Sequence, residues 1–92
     1  MYEFDYLEWD EEKRLSNLEK HKLDFEDAWQ VFGDKNCLTA ESPRNSELRY
    51  KTIGWHKREL VVVIHVPREQ ACRIISMRKS RAKEREEYHG NR

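Results

Sequence analysis

The sequence has little of what would mark a secreted, metal-bound or membrane-spanning protein. It holds two cysteines, Cys37 and Cys72, far apart and outside any CxxC or Cys/His spacing that binds zinc. No apolar run approaches the ~18 residues of a membrane span; the longest is Leu60 to Ile64. No secretory signal opens the chain, so a reduced cytoplasmic protein is expected. Motifs for a nucleotide-binding loop, a metalloprotease, a zinc ribbon and an acyl-transfer triad are all missing, and no cofactor or metal is expected. The four histidines are scattered. His65 lies in the most apolar segment and reads as a packed, hydrogen-bonded imidazole; His56 reads as a turn residue and His89 as part of the tail. His21 is kept as a site candidate, with capping of a helix C-terminus as its plainer role.

The formal net charge is zero, but the charge is unevenly spread. Residues 1–34 carry eleven acids against four bases, a balance of −7, and residues 35–92 carry fourteen Lys or Arg against seven acids, a balance of +7. Such a dipole along the chain says more about partners than the neutral total: the basic half suits a polyanion or an acidic protein. At 92 residues there is room for one domain, 1–92, with 78–92 as a basic helix and tail. A composition 37% hydrophobic and 39% charged, with three Trp, four Tyr and three Phe, is too aromatic for a disordered chain.

Periodicity supplies the elements. Tyr2 to Trp9 alternates as a short strand. Asp10 is placed to cap a helix that runs to about His21, with Glu11 and Glu12 in its first turn; Leu15 and Leu18 mark the expected buried stripe, and Lys13, Asn17 and Lys20 the opposite face. A second helix is expected from Asp24, with Asp27 as a capping-box partner. Phe25, Ala28, Trp29 and Phe32 form its apolar stripe, and Gly33 is its left-handed terminator. Strands then follow at Cys37–Glu41, Leu48–Trp55, Leu60–Val66 and Cys72–Met77, separated by polar turns that include His56-Lys57-Arg58 and Pro67-Arg68-Glu69-Gln70. Ser80 is the expected cap of a final polar helix. The predicted fold is α+β: an antiparallel sheet, two N-terminal helices packed on one face, a short C-terminal helix, and the other face open for binding.

The basic half concentrates into a cluster. Arg68, Arg73, Arg78, Lys79, Arg81, Lys83 and Arg85 fall within eighteen positions, and the meander brings Arg49 and Lys51 towards them. Metal-free RNA cleavage proceeds by attack of a 2′-hydroxyl on the adjacent phosphate, and fixed Arg or Lys donors stabilise the transition state, each well-aimed one by roughly 2.7–4 kcal/mol. The planar fork of Arg grips two phosphate oxygens, and Trp55 and Tyr88 are suited to stack on unpaired bases. The alternative is a solvated basic helix balanced by its own Glu84, Glu86 and Glu87.

A longer pattern runs through the chain. Phe4, then Glu8-Trp9-Asp10-x-x-Lys13-x-x-x-Asn17-x-x-Lys20-His21, then Asp24-Phe25-x-x-Ala28-x-x-Val31-Phe32 resembles the opening of the BrnT toxin family. Arg49-x-x-x-Ile53-Gly54, Leu60-Val61-Val62-Val63, Arg73-Ile74-Ile75-Ser76-x-Arg78-Lys79, Glu84 and Tyr88 continue the resemblance in order. It implies a compact fold like that of the RelE ribonuclease toxins. It also implies a ribonuclease that stops translation, and a BrnA-like ribbon-helix-helix antitoxin that joins it in a two-plus-two complex and binds the operon's promoter DNA. Carried over residue by residue, it points to Arg78, Arg49 and Arg73 as phosphate clamps, with Lys79, His21 and Tyr88 behind them and no general base named. In the N-terminal motif, Trp9, Asp10, Lys13, Asn17 and Lys20 read as a structural network fixing the first strand to the first helix. Two positions depart from the family: Lys22 stands where Gly is usual, and Met77 where Ala is common before the Arg-Lys pair. The contrasting reading is a non-catalytic binding module whose basic face docks an acidic protein or nucleic acid.

Overall fold

A computed structural model describes residues 4–90. The order is β1 Tyr6–Glu8, α1 Glu11–His21, a 3-10 turn Phe25–Asp27 running into α2 Ala28–Phe32, then β2 Leu38–Glu41, β3 Tyr50–His56, β4 Glu59–Arg68, β5 Ala71–Lys79 and α3 Ala82–Gly90. This is the predicted succession of elements. The sheet, however, is mixed rather than antiparallel. Its order is β1-β5-β4-β3-β2, and β1 runs parallel to β5, with Tyr6 opposite Ala71 and Glu8 opposite Arg73. Tight turns fix the directions of β3, β4 and β5, because a short loop can join only antiparallel neighbours. The longer 42–49 connection folds back on itself through the Arg44–Glu47 bridge and sets β2 antiparallel to β3. Two helices separate β1 from every other strand, so no turn sets its direction. The expected first strand, Tyr2 to Trp9, began outside the described residues; within them it is shorter than expected, Tyr6–Glu8, with Phe4, Asp5 and Trp9 not in the strand.

Both later strands are longer than predicted. Pro67 pairs with Cys72 inside the β4–β5 ladder instead of turning, and the reversal is confined to Glu69 and Gln70, with Glu69 at φ 55. His56 likewise ends β3 rather than forming a turn. It is buried, with Nε2 3.0 Å from an Asp27 carboxylate oxygen, and this contact uses the Asp27 side chain that was expected to act as capping-box partner to Asp24. Asp24 caps the 3-10 turn through Glu26 N–H, and Gly33 is right-handed at φ −78. Asp10 caps α1 as predicted, accepting from the N–H groups of Glu12 and Lys13.

The buried face of α1 is shifted from the expected one: Leu18 is half-buried and Lys13 and Lys20 are exposed as expected. Leu15, however, is 52% exposed, whereas Asn17 is buried, its amide donating to the Leu23 carbonyl and its oxygen accepting from Met77 N–H. β1 stops pairing at Arg73, which leaves the outer edge of β5 beyond it without a strand. A buried amide carrying both donor and acceptor can satisfy backbone groups that a leucine would strand.

The core divides across the sheet because alternate residues of a strand point to opposite faces. Val61 and Val63 join Phe25, Ala28, Val31 and Phe32 on the α2 side, while Leu60 and Val62 join Ile53 and Tyr88 on the other. The second face is therefore not open: Tyr88 of α3 lies on it. Gly54 makes the close approach of α2 possible, since a Cβ there would stand 2.6 Å from the Val31 carbonyl oxygen.

Candidate functional site

A β-bulge gathers the cations. Arg73 and Arg78 are five residues apart, which on a regular strand puts their side chains on opposite faces. The ladder slips between Ile64 and His65, so that Arg78 lies opposite Val62 and Arg73 opposite Val66. Lys51 lies opposite Ile64. Residues directly opposite share a face, as do alternate residues of one strand. Lys51, Arg73 and Arg78 therefore share the face of β3 to β5 on which Tyr88 lies.

Glu84 enters that face from α3. It sits one helical turn before Tyr88, so the two side chains project together, and both are buried, at 5% and 3% exposed. The Arg78 fork grips Glu84 bidentately, with 2.8 Å contacts from Nη1 to Oε1 and from Nη2 to Oε2. Lys51 Nζ reaches Oε2 at 3.3 Å, and Arg81 N–H donates to Oε1 at 2.8 Å. The last bond is the return half of a capping box, so Glu84 rather than Ser80 ties down the first turn of α3. Ser80 instead donates its N–H to the Leu60 carbonyl. The bonds from Arg78, reinforced by Arg81 N–H and Lys51 against the cost of burial, hold the Glu84 carboxyl down at about 2; Arg78 is correspondingly raised.

Next to this cluster, Asp34 joins three elements. Its Oδ2 accepts from Tyr88 OH at 2.6 Å and from Trp55 N–H at 3.1 Å, and its Oδ1 accepts from Asn36 N–H at 2.9 Å. Burial alone would raise its carboxyl, but these three donors outweigh that and hold it below the usual range.

The other predicted site residues are placed apart from the cluster centre. Arg73 pairs with Glu8 at 3.1 Å, Arg49 with Glu47 at 2.7 Å and Lys79 with Glu59 at 3.1 Å. His21 lies in a separate groove of about 380 Å³ between α1 and β5, with Lys13, Asn17, Lys20 and Ser76. A larger cavity of about 580 Å³ opens on the α2 side beside Tyr50, Thr52 and His65. There His65 Nε2 is bonded to Thr52 Oγ1 at 2.9 Å, as its packed reading required, and burial lowers its pKa to about 4. Burial pushes the Cys72 thiol up to about 12, and burial and Asp34 raise Cys37, so neither is a ready thiolate. Among the described residues no group of three His, Cys, Asp or Glu is placed to hold a metal, and no helix is long and apolar enough to cross a membrane.

Sequence reasoning gave Glu84 no role beyond a balancing charge and a place in the family pattern, and Lys51 none beyond that of a neighbour of the cluster. The i, i+4 spacing of Glu84 and Tyr88 was the available signal, since one buried residue on that helix face places the other. The family model for the ribonuclease toxin BrnT of type II toxin–antitoxin systems matches residues 9–84, a span that includes Lys51, Arg78 and Glu84. No curated protein gives a significant match.

Proposed function

Because the chain belongs to the BrnT family of ribonuclease toxins of type II toxin–antitoxin systems, we propose that it cuts RNA at the Lys51–Arg78–Glu84 cluster and so blocks translation in the cytoplasm. The observation that carries this reading is the pairing of one buried carboxylate with two cations on a single sheet face. A substrate phosphate has the same charge and forked geometry as the Glu84 carboxylate. It competes for the Arg78 fork and for Lys51 and draws both onto its own oxygens. Glu84 then loses the Arg78 and Lys51 contacts that hold its pKa down and keeps only the Arg81 N–H, so its proton affinity rises towards that of an ordinary carboxylate. In that state it accepts the proton of the attacking 2′-hydroxyl. The 2′-oxygen bonds to phosphorus, the bond from phosphorus to the 5′-oxygen breaks, and the departing oxygen takes a proton from water. Arg78 and Lys51 stabilise the charge that builds on the phosphate oxygens, with no metal in the step.

Arg73 and Arg49 extend the cationic face as phosphate contacts on either side. Lys79, opposite Val61 on the α2 side, and His21, in its separate groove, lie off this face and are given no part in the step. Tyr88 positions Glu84 by anchoring its helix to Asp34. A toxin of this family is paired with an antitoxin. The partner proposed here is a ribbon-helix-helix protein in a two-plus-two complex that reaches promoter DNA through the antitoxin and represses its own operon.

Expression of the chain alone tests the reading. Growth arrest with fragmented RNA, abolished by Glu84→Gln, is the expected result. Unchanged growth and intact RNA, with folded protein present, would overturn it and leave a non-catalytic binding module.

A further inference from the structure

A pocket of about 150 Å³ opens beside the cluster, lined by Asn36, Trp55, Tyr88 and His89. That volume suits one planar ring, since a cavity of this size admits benzene. Three of its walls come from different elements: Trp55 from β3, Tyr88 from α3 and Asn36 from the loop after α2. Asp34 fixes all three at once through its bonds to Tyr88 OH, Trp55 N–H and Asn36 N–H. The Tyr88 ring and the backbone that carries Trp55 and Asn36 are thus held in place without a ligand, which lowers the ordering cost of binding one.

The lining has the chemistry of base recognition. Trp55 is 41% exposed although its strand is otherwise largely buried, and its ring stands at 87° to that of Tyr88 with centroids 6.3 Å apart. The carboxamide of Asn36 is exposed and has no hydrogen-bond partner among the described residues. A carboxamide offers a donor and an acceptor side by side, which matches a base edge carrying one of each. Asp34, the nearby acid, spends its oxygens behind the walls rather than in the pocket, so the lining suits a neutral ring. Trp55 also lies on the face and strand of Lys51, four residues on, or ~13 Å at the rise of a strand.

We propose that this pocket takes one unpaired nucleobase of the RNA strand whose phosphate lies on Arg78 and Lys51, with Trp55 as the stacking platform and Asn36 as the group that selects the base. The inference rests on the RNA-cleaving reading of the cluster. It makes base preference a property of the loop after α2, separate from the phosphate chemistry. Asp34 is a positioning residue for this pocket.

Binding of four 2′-O-methyl RNA homo-oligomers, one for each base, tests this with the intact chain, because these probes lack the 2′-hydroxyl that the proposed cleavage needs. The wild type is expected to favour one of the four. Trp55→Ala weakens that complex by roughly tenfold or more, as removal of a stacking ring does in single-strand binding. Trp55→Phe recovers most of the loss, and Asn36→Ala makes the four affinities more alike. If Trp55→Ala and Asn36→Ala both bind all four oligomers as the wild type does, the pocket inference is overturned. Arg78→Gln, measured in the same series, separates the two ideas. Weakened binding in that variant alone leaves the cluster as an RNA site without the pocket, whereas undiminished binding in all three removes RNA from both. Wild-type RNA binding by the pocket variants, joined with loss of antitoxin co-purification, would assign the pocket to the protein partner and equally overturn the proposal.

Discussion

Tyr88 OH donates to Asp34 Oδ2 at 2.6 Å across 54 residues of sequence, and this bond fastens the last helix to the loop that follows α2. Tyr88 also packs with Ile53, Leu60 and Val62. The fastening matters to the site because Glu84, one turn earlier on α3, meets Arg78 only when the helix lies on the sheet.

Tyr88→Phe should keep the packing and lose the bond. Asp34 retains the two backbone donors of Trp55 and Asn36, so the expected cost is about 1.5–3 kcal/mol, the range of a hydrogen bond to a charged group. Asp34→Ala should cost more, because it leaves three donors without their acceptor. Urea midpoints of the two variants check the order, and equal midpoints would show that Asp34 contributes nothing beyond the Tyr88 contact.

Acid should unfold the protein in two separable stages. His65 stays neutral in the fold down to about 4, while an unfolded histidine takes up its proton near 6.5. The unfolded state then binds more protons, so stability falls as the pH drops from about 6.5 to about 4. Glu84 is ionised in the fold down to about 2 and near 4.5 when unfolded, so its contribution is present above about 4.5 and is lost between there and about 2. Each shift corresponds to a loss on the order of 3 kcal/mol. In melting temperatures followed against pH, His65→Gln should remove the upper stage and leave the lower one. Persistence of the upper stage in that variant would assign it to another group.

The sequence revealed most of the elements because caps and apolar periods are local. Asp10, Asp24 and the β-branched run through Leu60–Val66 needed no distant partner to be read. What it hid depends on contacts made across the fold. The pairing of β1 with β5 has no turn to announce it. Asn17 looked like a solvent-facing residue because its partners, Leu23 and Met77, lie outside its helix. The site was half legible for the same reason. Arg73 and Arg78 stood out by type, but only a bulge of one residue puts them on one face, and Glu84 looked like part of a solvated helix until Arg78 was seen to bind it.

Arg78→Lys and Arg78→Ala should part in their effects. Lysine keeps a positive charge near Glu84 and loses the fork, so stability should fall by less than about 1 kcal/mol while cleavage falls by roughly a hundredfold or more, the scale for one lost oxyanion donor. Alanine also leaves a buried carboxylate with only Lys51 and Arg81 N–H, which should cost about 1–3 kcal/mol of stability. Cleavage rates and melting curves on both proteins check this. Full cleavage by the Lys variant would show that the fork has no part in the chemistry.

Gly54→Ala should destabilise the fold by pressing on α2, on the opposite side of the sheet from the Lys51–Arg78–Glu84 cluster. The added methyl would stand 2.6 Å from the Val31 carbonyl oxygen and 3.0 Å from Val31 Cγ1, and a backbone atom of a packed helix cannot turn aside as a side chain can. Overpacking of this kind costs about 1–3 kcal/mol. The melting temperature reports it directly, and an unchanged value would mean that α2 can move off the sheet at little cost.

Lys22→Gly should do the opposite. Lys22 ends α1 in the left-handed region, at φ 61 and ψ 30, where its N–H donates to the Leu18 carbonyl and its Nζ reaches the Glu19 carbonyl oxygen at 2.9 Å. A residue with a Cβ is strained there by roughly 1 kcal/mol, and glycine is not. Against this gain stands the loss of one exposed contact from a flexible side chain, together with the larger entropy that glycine gives the unfolded state. Strain relief is the largest of these, so a net gain of about 0.5 kcal/mol is expected, read as a rise of a few degrees in melting temperature. Lys22→Ala separates the causes, because it removes the ammonium contact and keeps the Cβ. If alanine matched or exceeded glycine, strain at this cap would not be what limits the helix.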